Sequence, residues 1–319
     1  MVSGKNSDKV SVGNTPLVEV DGIFAKLECV SPTGSIKDRM AKYILEESEK
    51  RGLLKKGMRV IEATSGNTGI SMSYFGRRMG YDVTIVMPEN MTRERKSIIR
   101  RLGGNLILSP AERSFAEAAR IRDRKAREEG YFSTDQFANP LNVECHQKTT
   151  GQEIISEMKT KGLVVDAFVA GVGTGGTLIG VAKALKRINP DVYIVAVEPS
   201  ESNVMCGKKP DFHIIQGIGD GFIPDIVSDG KGGLNPLIDD VLCVSGDEAK
   251  SAALYLDKEC GLCVGMSSGA NYLIAKKLSE RFKTVVTVFP DGFSKYQSQG
   301  LKQTNPNGCP YHTRCANLG

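Results

Sequence analysis

Short apolar runs rich in β-branched residues alternate along the chain with longer segments in which apolar residues recur every three or four positions. A strand covered on both faces has few polar positions, so each apolar run predicts a buried β-strand. These runs lie at 59–63, 82–87, 105–109, 167–171, 193–198 and 284–289. The segments between them have the spacing of helices that cover a sheet. They are "SGNTGISMSYFGRRM", "SFAEAARIRDRKAREE", "TLIGVAKALKRI" and "GANYLIAKKLSERF".

This alternation predicts an α/β protein with mainly parallel strands. The strand and helix units form two clusters, one before about residue 143 and one after it. We therefore expect two α/β lobes with a cleft between them. The tail, residues 301–319, has no periodicity and is expected to be irregular.

The amino-acid composition and net charge of the chain limit the classes of function that we expect for the protein. The chain has 319 residues, 40% hydrophobic and 25% charged, with a net charge of +5. The basic runs "TRERKSIIRR" and "RIRDRKAREE" also carry apolar residues at helical spacing, so they predict solvated helix faces rather than a nucleic-acid site. No apolar stretch suggests a signal peptide or a membrane span, so we expect a cytoplasmic protein without a membrane partner. The eight cysteines are then expected to be thiols or metal ligands rather than disulfides.

One loop has the composition of an anion site. The segment 171–177, "GVGTGGT", contains four glycines and two threonines and joins a predicted strand to a predicted helix. Such a loop can direct several backbone N–H groups and the positive end of the helix at one anion. A tight strand-to-helix turn is the alternative, but the number of glycines and hydroxyls favours phosphate binding.

Two further strand-to-helix junctions are rich in small polar residues. In "EATSGNTGI", residues Thr64, Ser65, Asn67 and Thr68 crowd a helix start where one capping residue would suffice. This crowding suggests a site for a carboxylate or a ring substituent. "GMSSGAN" at 265–271 is a similar junction. In a parallel fold all three junctions should lie along the carboxyl edges of the sheets, where α/β proteins bind ligands.

A lysine in a predicted turn, considered together with these loops, suggests the cofactor. Lys37 lies in the turn of "SPTGSIKDRMAKYI", just before a predicted helix. It could be an ordinary surface lysine. Together with a phosphate site and a carboxylate site, however, it suggests pyridoxal phosphate, whose aldehyde forms a Schiff base with lysine.

The chain resembles the pyridoxal-phosphate-dependent fold type II family of cysteine synthase (O-acetylserine sulfhydrylase) and cystathionine β-synthase. The resemblance runs from 13 to about 296 through an ordered set of motifs. These include "GNTPLVEV", "SPTGSIKDRMA", "EATSGNTGIS", "TDQFANPLN", "GVGTGGTLIG", "QGIGDGFIP", "GMSSGAN" and "FPDGFSKY". It implies a tryptophan synthase β-like fold of two lobes, each a mainly parallel twisted sheet covered by helices. The implied lobes are 39–143 and 1–38 with 144–300, in a homodimer.

The resemblance also implies roles for individual residues. Lys37 would form the Schiff base and move protons, and Gly217 would lie in a loop that closes over the site. The phosphate would be bound by Gly173, Thr174, Gly175, Gly176 and Thr177. The ring hydroxyl and the ring nitrogen would be met by Asn67 and Ser267. The substrate carboxylate would be held by Thr64, Ser65, Asn67, Thr68 and Gln136.

A serine at the ring nitrogen favours β-elimination followed by addition of a nucleophile, because it leaves the ring a weaker electron sink than an aspartate would. The expected reaction is cysteine synthesis from O-acetylserine, or a similar activated serine, and sulfide. Other nucleophiles or leaving groups would give cystathionine, diaminopropionate, or serine with release of hydrogen sulfide from cysteine. An inactive scaffold with this fold is a further alternative, against which Lys37 and the phosphate loop count.

Two features depart from a plain cysteine synthase. Asp220 in "GIGDGF" faces either solvent or the β-carbon of the substrate, where it would favour water or an amine over hydrosulfide. "CGLC" and "CPYHTRC" supply Cys260, Cys263, Cys309 and Cys315, with His312, as metal-ligand candidates. Buried thiols without a metal are the expected alternative.

Overall fold

The computed structural model describes residues 11–110, 114–301, 304 and 309–311. The strands in these residues are β1 Leu17–Val20, β2 Ile23–Leu27, β3 Arg59–Ala63, β4 Asp82–Pro88, β5 Asn105–Ser109, β6 Phe132–Ser133, β7 Ala167–Gly171, β8 Tyr193–Pro199, β9 Asp240–Val244 and β10 Val285–Phe289. The helices are α1 Lys37–Lys50, α2 Asn67–Arg78, α3 Arg93–Arg101, α4 Ser114–Glu129, α5 Pro140–Lys148, α6 Thr150–Thr160, α7 Gly176–Leu185, α8 Gly246–Lys258 and α9 Met266–Leu278.

The strands form two separate sheets, as the apolar pattern predicted. The larger sheet has the order β1-β2-β10-β7-β8-β9, and the smaller has the order β5-β4-β3-β6. Every pairing is parallel except the one between β1 and β2. The two-sheet α/β architecture is therefore confirmed, whereas the lobe boundaries at residues 39, 143 and 301 stay a prediction.

Helices cover both faces of each sheet. In the larger sheet, α8 and α9 pack on one face and α6 and α7 on the other. In the smaller sheet, α1, α2 and α3 pack on one face and α4 on the other. This double coverage explains the nearly continuous apolar sequence of the central strands. In the part of the chain that the structure describes, none of the helices combines the length and the apolar character needed to cross a membrane.

The apolar runs predicted six of the strands to within one residue at either end, but they missed β1, β2, β6 and β9. Strands β1 and β2 form a hairpin around Asp21 and Gly22, both of which have positive φ. Asp-Gly between two strands is a sequence signal for such a turn, so this hairpin was detectable. Strand β6 is only two residues long, too short to give a pattern.

A buried network of charges holds the start of α1. The Arg39 guanidinium donates to both carboxylate oxygens of Glu28 at 2.8 Å and to those of Glu153 at 2.6 and 2.8 Å. The Arg39 and Glu28 side chains are 1% and 0% exposed. Lys26, also fully buried, lies 2.9 Å from Glu153 and pairs with Glu157. The network fixes the first turn of α1 against β2 and α6.

We predict that Arg39→Ala lowers the free energy of unfolding by about 3–5 kcal/mol, because it leaves the buried Glu28 carboxylate unpaired. Urea unfolding followed by circular dichroism measures this change. The matched control is Arg51→Ala, which removes an exposed arginine paired with Glu144 and should not change stability measurably. Equal losses in the two variants would contradict the prediction.

The same network makes a pH-dependent contribution. Burial alone would raise the pKa of Glu153. The hydrogen bond and the charge of Arg39 outweigh this effect and lower the pKa to about 2, compared with 4.5 in the unfolded chain. The Glu153 contribution is therefore complete above about pH 4.5 and is lost as the pH falls toward 2. The difference in stability between parent and Arg39→Ala should shrink over that range.

Candidate active site

A cleft lies where the carboxyl ends of β3, β7 and β10 meet the first turns of α1, α2, α7 and α9. The substrate and cofactor residues predicted from the sequence line this cleft, apart from Gly175 and Gly176, which lie behind its wall. Those lining it are Lys37, Thr64, Ser65, Asn67, Thr68, Gln136, Gly173, Thr174, Thr177, Gly217, Asp220 and Ser267. Tertiary structure thus brings together residues from four helix starts and two loops.

Lys37 is the first residue of α1 and is partly buried in the cleft wall. Its neighbour Asp38 ties the preceding turn in place by accepting from the Thr33 N–H at 2.6 Å and from the Ser71 hydroxyl at 2.7 Å. Burial lowers the pKa of the Lys37 amine, and the negative charges of Asp220 and Asp291 partly offset this effect. Lys37 is therefore held in place and loses its proton more readily than a surface lysine.

The junction between β3 and α2 forms one end of the cleft. Gly66 lies so close to Arg95 that a Cβ on Gly66 would be 2.2 Å from Arg95 Cδ. Thr68 donates to the Gln136 side-chain oxygen at 2.6 Å, and the Gln136 amide donates to the Ala63 carbonyl at 2.9 Å. These bonds orient two of the predicted substrate residues before any ligand binds.

The loop between β7 and α7 forms the opposite end. Gly175 adopts φ +81° at the start of α7, a left-handed conformation that favours glycine. Gly173, Thr174 and Thr177 line the cleft at the first turn of α7, and the positive end of a helix is suited to an anion. The strand ends at Gly171, as the apolar run 167–171 predicted, and the helix begins at Gly176, one residue before the predicted segment that starts at Thr177.

Two residues behind this loop were not found from the sequence. Asn142 donates to Thr174 Oγ1 and to the Gln136 carbonyl, both at 2.9 Å, so it links the two ends of the cleft. His146 Nε2 lies 3.3 Å from Thr177 Oγ1. Burial, with the nearby charges of Lys37 and Arg39, lowers the pKa of His146 well below its usual range, so the imidazole is neutral. Helix α5 carries both residues, and their polar character alone gave no indication of this position.

The wall between these ends carries Ser267 and Asn67. Ser267 lies in the first turn of α9, and Asn67 is the first residue of α2. The Asn67 amide donates to Asp291 at 2.7 Å, and the Tyr296 hydroxyl donates to the same carboxylate oxygen at 2.6 Å. Asn67 Oδ1 is buried and has no hydrogen-bond partner among the described residues.

Arg95 corrects one interpretation of the sequence. The basic run "TRERKSIIRR" was expected to be a solvated helix face, yet Arg95 is only 1% exposed and lines the cleft. Its guanidinium carbon lies 5.1 Å from the centroid of the Tyr296 ring, and its Nε and Nη1 have no hydrogen-bond partner among the described residues. A buried cation with unused donors is suited to an anionic substrate group.

Asp220 also lines the cleft rather than facing away from it. Its loop is positioned by Phe222, whose ring centroid is 5.9 Å from that of Phe115 and 5.0 Å from that of Phe137. Burial raises the pKa of the Asp220 carboxyl, and the charges of His213, Lys37 and Arg95 oppose that rise. The cleft therefore holds a carboxylate poised to take up a proton.

Comparison with known proteins agrees with this geometry. The family model described as "Pyridoxal-phosphate dependent enzyme" matches residues 9–291. The chain belongs to the pyridoxal-phosphate-dependent enzyme family. It is 40% identical over 301 residues to a cysteine synthase of Staphylococcus aureus, an alignment covering 91% of this chain and 94% of that protein.

Solved structures of family members have the same fold. The cysteine synthase of Entamoeba histolytica aligns with a TM-score of 0.84 at 35% identity, covering 100% of this chain and 97% of that one. A hydrogen sulfide-producing enzyme of Fusobacterium nucleatum aligns with a TM-score of 0.80 at 38% identity, covering 92% and 87% of the two chains. The resemblance inferred from the motifs and the pyridoxal phosphate cofactor are thereby confirmed.

The cleft fits the cofactor of this family. Lys37, Thr174 and Thr177 at the start of α7, and Asn67 with its unpartnered Oδ1 line one space, where they match an aldehyde, a phosphate and a ring hydroxyl. Ser267 is the residue that would contact the ring nitrogen. These individual assignments stay predictions.

The predicted cysteine ligands do not form a metal centre in the described residues. Cys263 contacts Cys309, and this hydrogen bond, together with burial, raises the pKa of Cys263. Cys260 instead lies beside Tyr255. Cys315 and His312 are outside the described residues. Cys263 and Cys309 are buried, whereas Cys260 is only partly buried.

We predict that Asn142→Ala weakens pyridoxal phosphate binding about tenfold, equivalent to ~1.4 kcal/mol, because Thr174 loses the donor that orients its hydroxyl. Rebinding of the cofactor to resolved enzyme, measured by equilibrium dialysis, tests this. Asn105→Ala removes a similar amide from an exposed strand end and serves as the control. Identical dissociation constants for the two variants would rule out the role of Asn142.

Proposed function

We propose that this enzyme catalyses β-replacement on an activated serine, forming cysteine from O-acetylserine and sulfide. The observation that carries the proposal is the convergence on one cleft of Lys37, the carboxylate cradle at 64–68 and the phosphate cradle at 173–177. The relatives named cysteine synthase support the substrates. In the balanced reaction, sulfide replaces acetate at the β-carbon.

In this proposal, the residues of the cleft have separate roles in the reaction. Pyridoxal phosphate supplies the electron sink that lets the Cα–H bond of the amino acid ionise. Thr64, Ser65, Thr68 and Gln136 hold the α-carboxylate, which places the Cα–H bond next to Lys37. The Lys37 amine removes the α-proton, since its lowered pKa makes the neutral base accessible. Gly217 and the loop after it exclude water while the β-substituent leaves.

We predict that Lys37→Ala lowers turnover by at least about 100-fold, because it removes the general base. Borohydride reduction of the parent followed by peptide mapping should place the pyridoxyl label on Lys37. Lys295 is the informative competitor, since burial lowers its pKa to about 8 and its Nζ lies 3.0 Å from the Gly34 carbonyl. A label on Lys295 would contradict the assignment. Lys42→Ala, a change on the same helix outside the cleft, should keep both label and activity.

A second function is favoured by Asp220. A carboxylate in the cleft repels hydrosulfide: two like charges about 4 Å apart cost roughly 4 kcal/mol at an effective dielectric near 20. The same carboxylate can accept a proton from water that attacks the β-carbon. Cysteine and water would then give serine and hydrogen sulfide. The fusobacterial relative is named for hydrogen sulfide production, which supports this alternative.

We predict that Asp220→Asn lowers serine formation from cysteine about 100-fold or more, because water loses its general base. Cysteine formation from O-acetylserine and sulfide should stay unchanged or become faster, because the repulsion of hydrosulfide is removed. Chromatographic quantification of serine and cysteine measures both. Asp225→Asn, at an exposed position in the same loop region, is the control. Equal effects of Asp220→Asn on both reactions would make Asp220 an ordinary loop residue.

The proposal includes small molecules as the reaction partners and a homodimer in the cytoplasm. The support for the dimer and its location is the family resemblance of the sequence.

A further inference from the structure

Three potential metal ligands lie together outside the cleft. A carboxylate oxygen of Glu198 and the sulfurs of Cys206 and Cys243 are all within 4.8 Å of one another. Glu198 and Cys243 are directly paired across β8 and β9, and Cys206 follows in the short turn after β8. Sheet pairing and one turn of chain therefore create the group, from residues up to 45 positions apart in the sequence.

Glu198 is a buried carboxylate whose hydrogen-bond partners among the described residues are two backbone N–H groups and the Cys206 side chain, none of them a cation. It is only 1% exposed. Its oxygens accept from the backbone N–H groups of Met205 at 3.0 Å and Cys206 at 3.2 Å. No lysine, arginine or histidine among the described residues forms an ion pair with it. Because buried carboxylates are normally paired or coordinate metals, Glu198 is suited to be a metal ligand.

Asn203 supplies an outer contact to the same group. Its side chain is 6% exposed, and its amide donates to the Cys243 sulfur at 3.5 Å. Its other side-chain atom, Oδ1, is buried without a hydrogen-bond partner among the described residues. Outer-sphere contacts of this kind orient metal ligands.

We propose that Glu198, Cys206 and Cys243 bind a thiophilic divalent cation of the Zn²⁺ class. Two sulfurs bound to Zn²⁺ at about 2.3 Å in a tetrahedron lie about 3.8 Å apart, so the group needs only a small contraction to coordinate. Two thiolates exclude Mg²⁺ and Ca²⁺, which prefer oxygen. Cys206 is exposed, which gives the ion an entry path and leaves a fourth position for water.

The position of the site relates it to the cleft. Pro199, next to Glu198, packs against the substrate loop so closely that a Cβ on Gly219 would lie 2.6 Å from Pro199 Cδ. The Nε2 atom of His213 lies 2.8 Å from the carbonyl oxygen of Gly219 in the same loop. A cation bound by Glu198, Cys206 and Cys243 would link β8, β9 and the turn at Cys206. It would thereby stiffen the end of β8, which packs against the substrate loop, without contacting the substrate.

Metal binding to the reduced holoenzyme tests the proposal directly. After dialysis against Zn²⁺, the parent should hold one ion per chain, and X-ray absorption should show two sulfur neighbours at about 2.3 Å. Cys206→Ser and Cys243→Ser should each weaken binding by more than about 100-fold. Glu198→Gln, which keeps the shape and loses the charge, should weaken it by at least about tenfold. Zn²⁺ should raise the melting temperature of the parent but not of Cys206→Ser.

Control variants separate this site from the other cysteines. Cys260→Ser, and Cys309→Ser combined with Cys315→Ser, should bind Zn²⁺ like the parent. Metal lost in those variants but retained in Cys206→Ser would overturn the proposal. The proposal would also be overturned if the reduced parent enzyme took up no Zn²⁺. This holds whether Cys206 and Cys243 were free thiols or a disulfide before reduction. None of these measurements depends on enzymatic activity.

Discussion

The ion pairs of the Arg39 guanidinium with the carboxylates of Glu28 and Glu153 are the contacts on which the geometry of the active site depends. They join the first turn of α1 to β2 and α6 of the larger sheet. Farther along the same helix, Ala41 and Leu45 are part of the core of the smaller sheet. Helix α1 therefore bridges the two halves of the molecule, and its first residue, Lys37, lies where they meet. A charged pair this deeply buried is costly to break, so the lysine has little freedom to move away from the cleft.

Hydrogen bonds between the sheets define the space around that lysine. Asn67, at the start of α2 on the smaller sheet, donates to Asp291, which follows β10 of the larger one. Asn142 joins the carbonyl of Gln136 to the hydroxyl of Thr174. These contacts hold the junction at 64–68 and the loop at 173–177 at a fixed separation. An amino acid joined to the cofactor would have its reacting bonds between them.

The charges in the cleft determine which chemistry it favours. Lys37 and Arg95 are basic side chains, whereas Asp220 and Asp291 are acidic, and all four are at least partly buried. Asp291 is neutralised in part by donors from Asn67 and Tyr296. Burial of Asp220 is instead offset by the nearby charges of His213, Lys37 and Arg95. We propose that this carboxylate influences the choice between sulfide and water as nucleophile.

The sequence by itself determined the elements and the chemistry of their junctions. Strands such as 167–171 and 284–289 were predictable because they are covered on both faces and leave a nearly continuous apolar run. Glycines and hydroxyls concentrated at 64–68 and 171–177 marked the ligand loops, since only such residues free the backbone N–H groups at a helix start. The interpretation of Lys37 as the Schiff-base lysine depended on these loops and on the resemblance to a known family.

Tertiary structure alone decided which polar residues face inward. Arg95 belongs to a helix whose sequence is typical of a solvated surface, yet the approach of Tyr296 and Gly66 buries it in the cleft. The orientation of Asp220 depends on Phe222 packing against two aromatic rings from other segments. Glu198, Cys206 and Cys243 meet only through the register of β8 and β9. Periodicity describes what covers one element, whereas these positions depend on contacts between residues far apart in the chain.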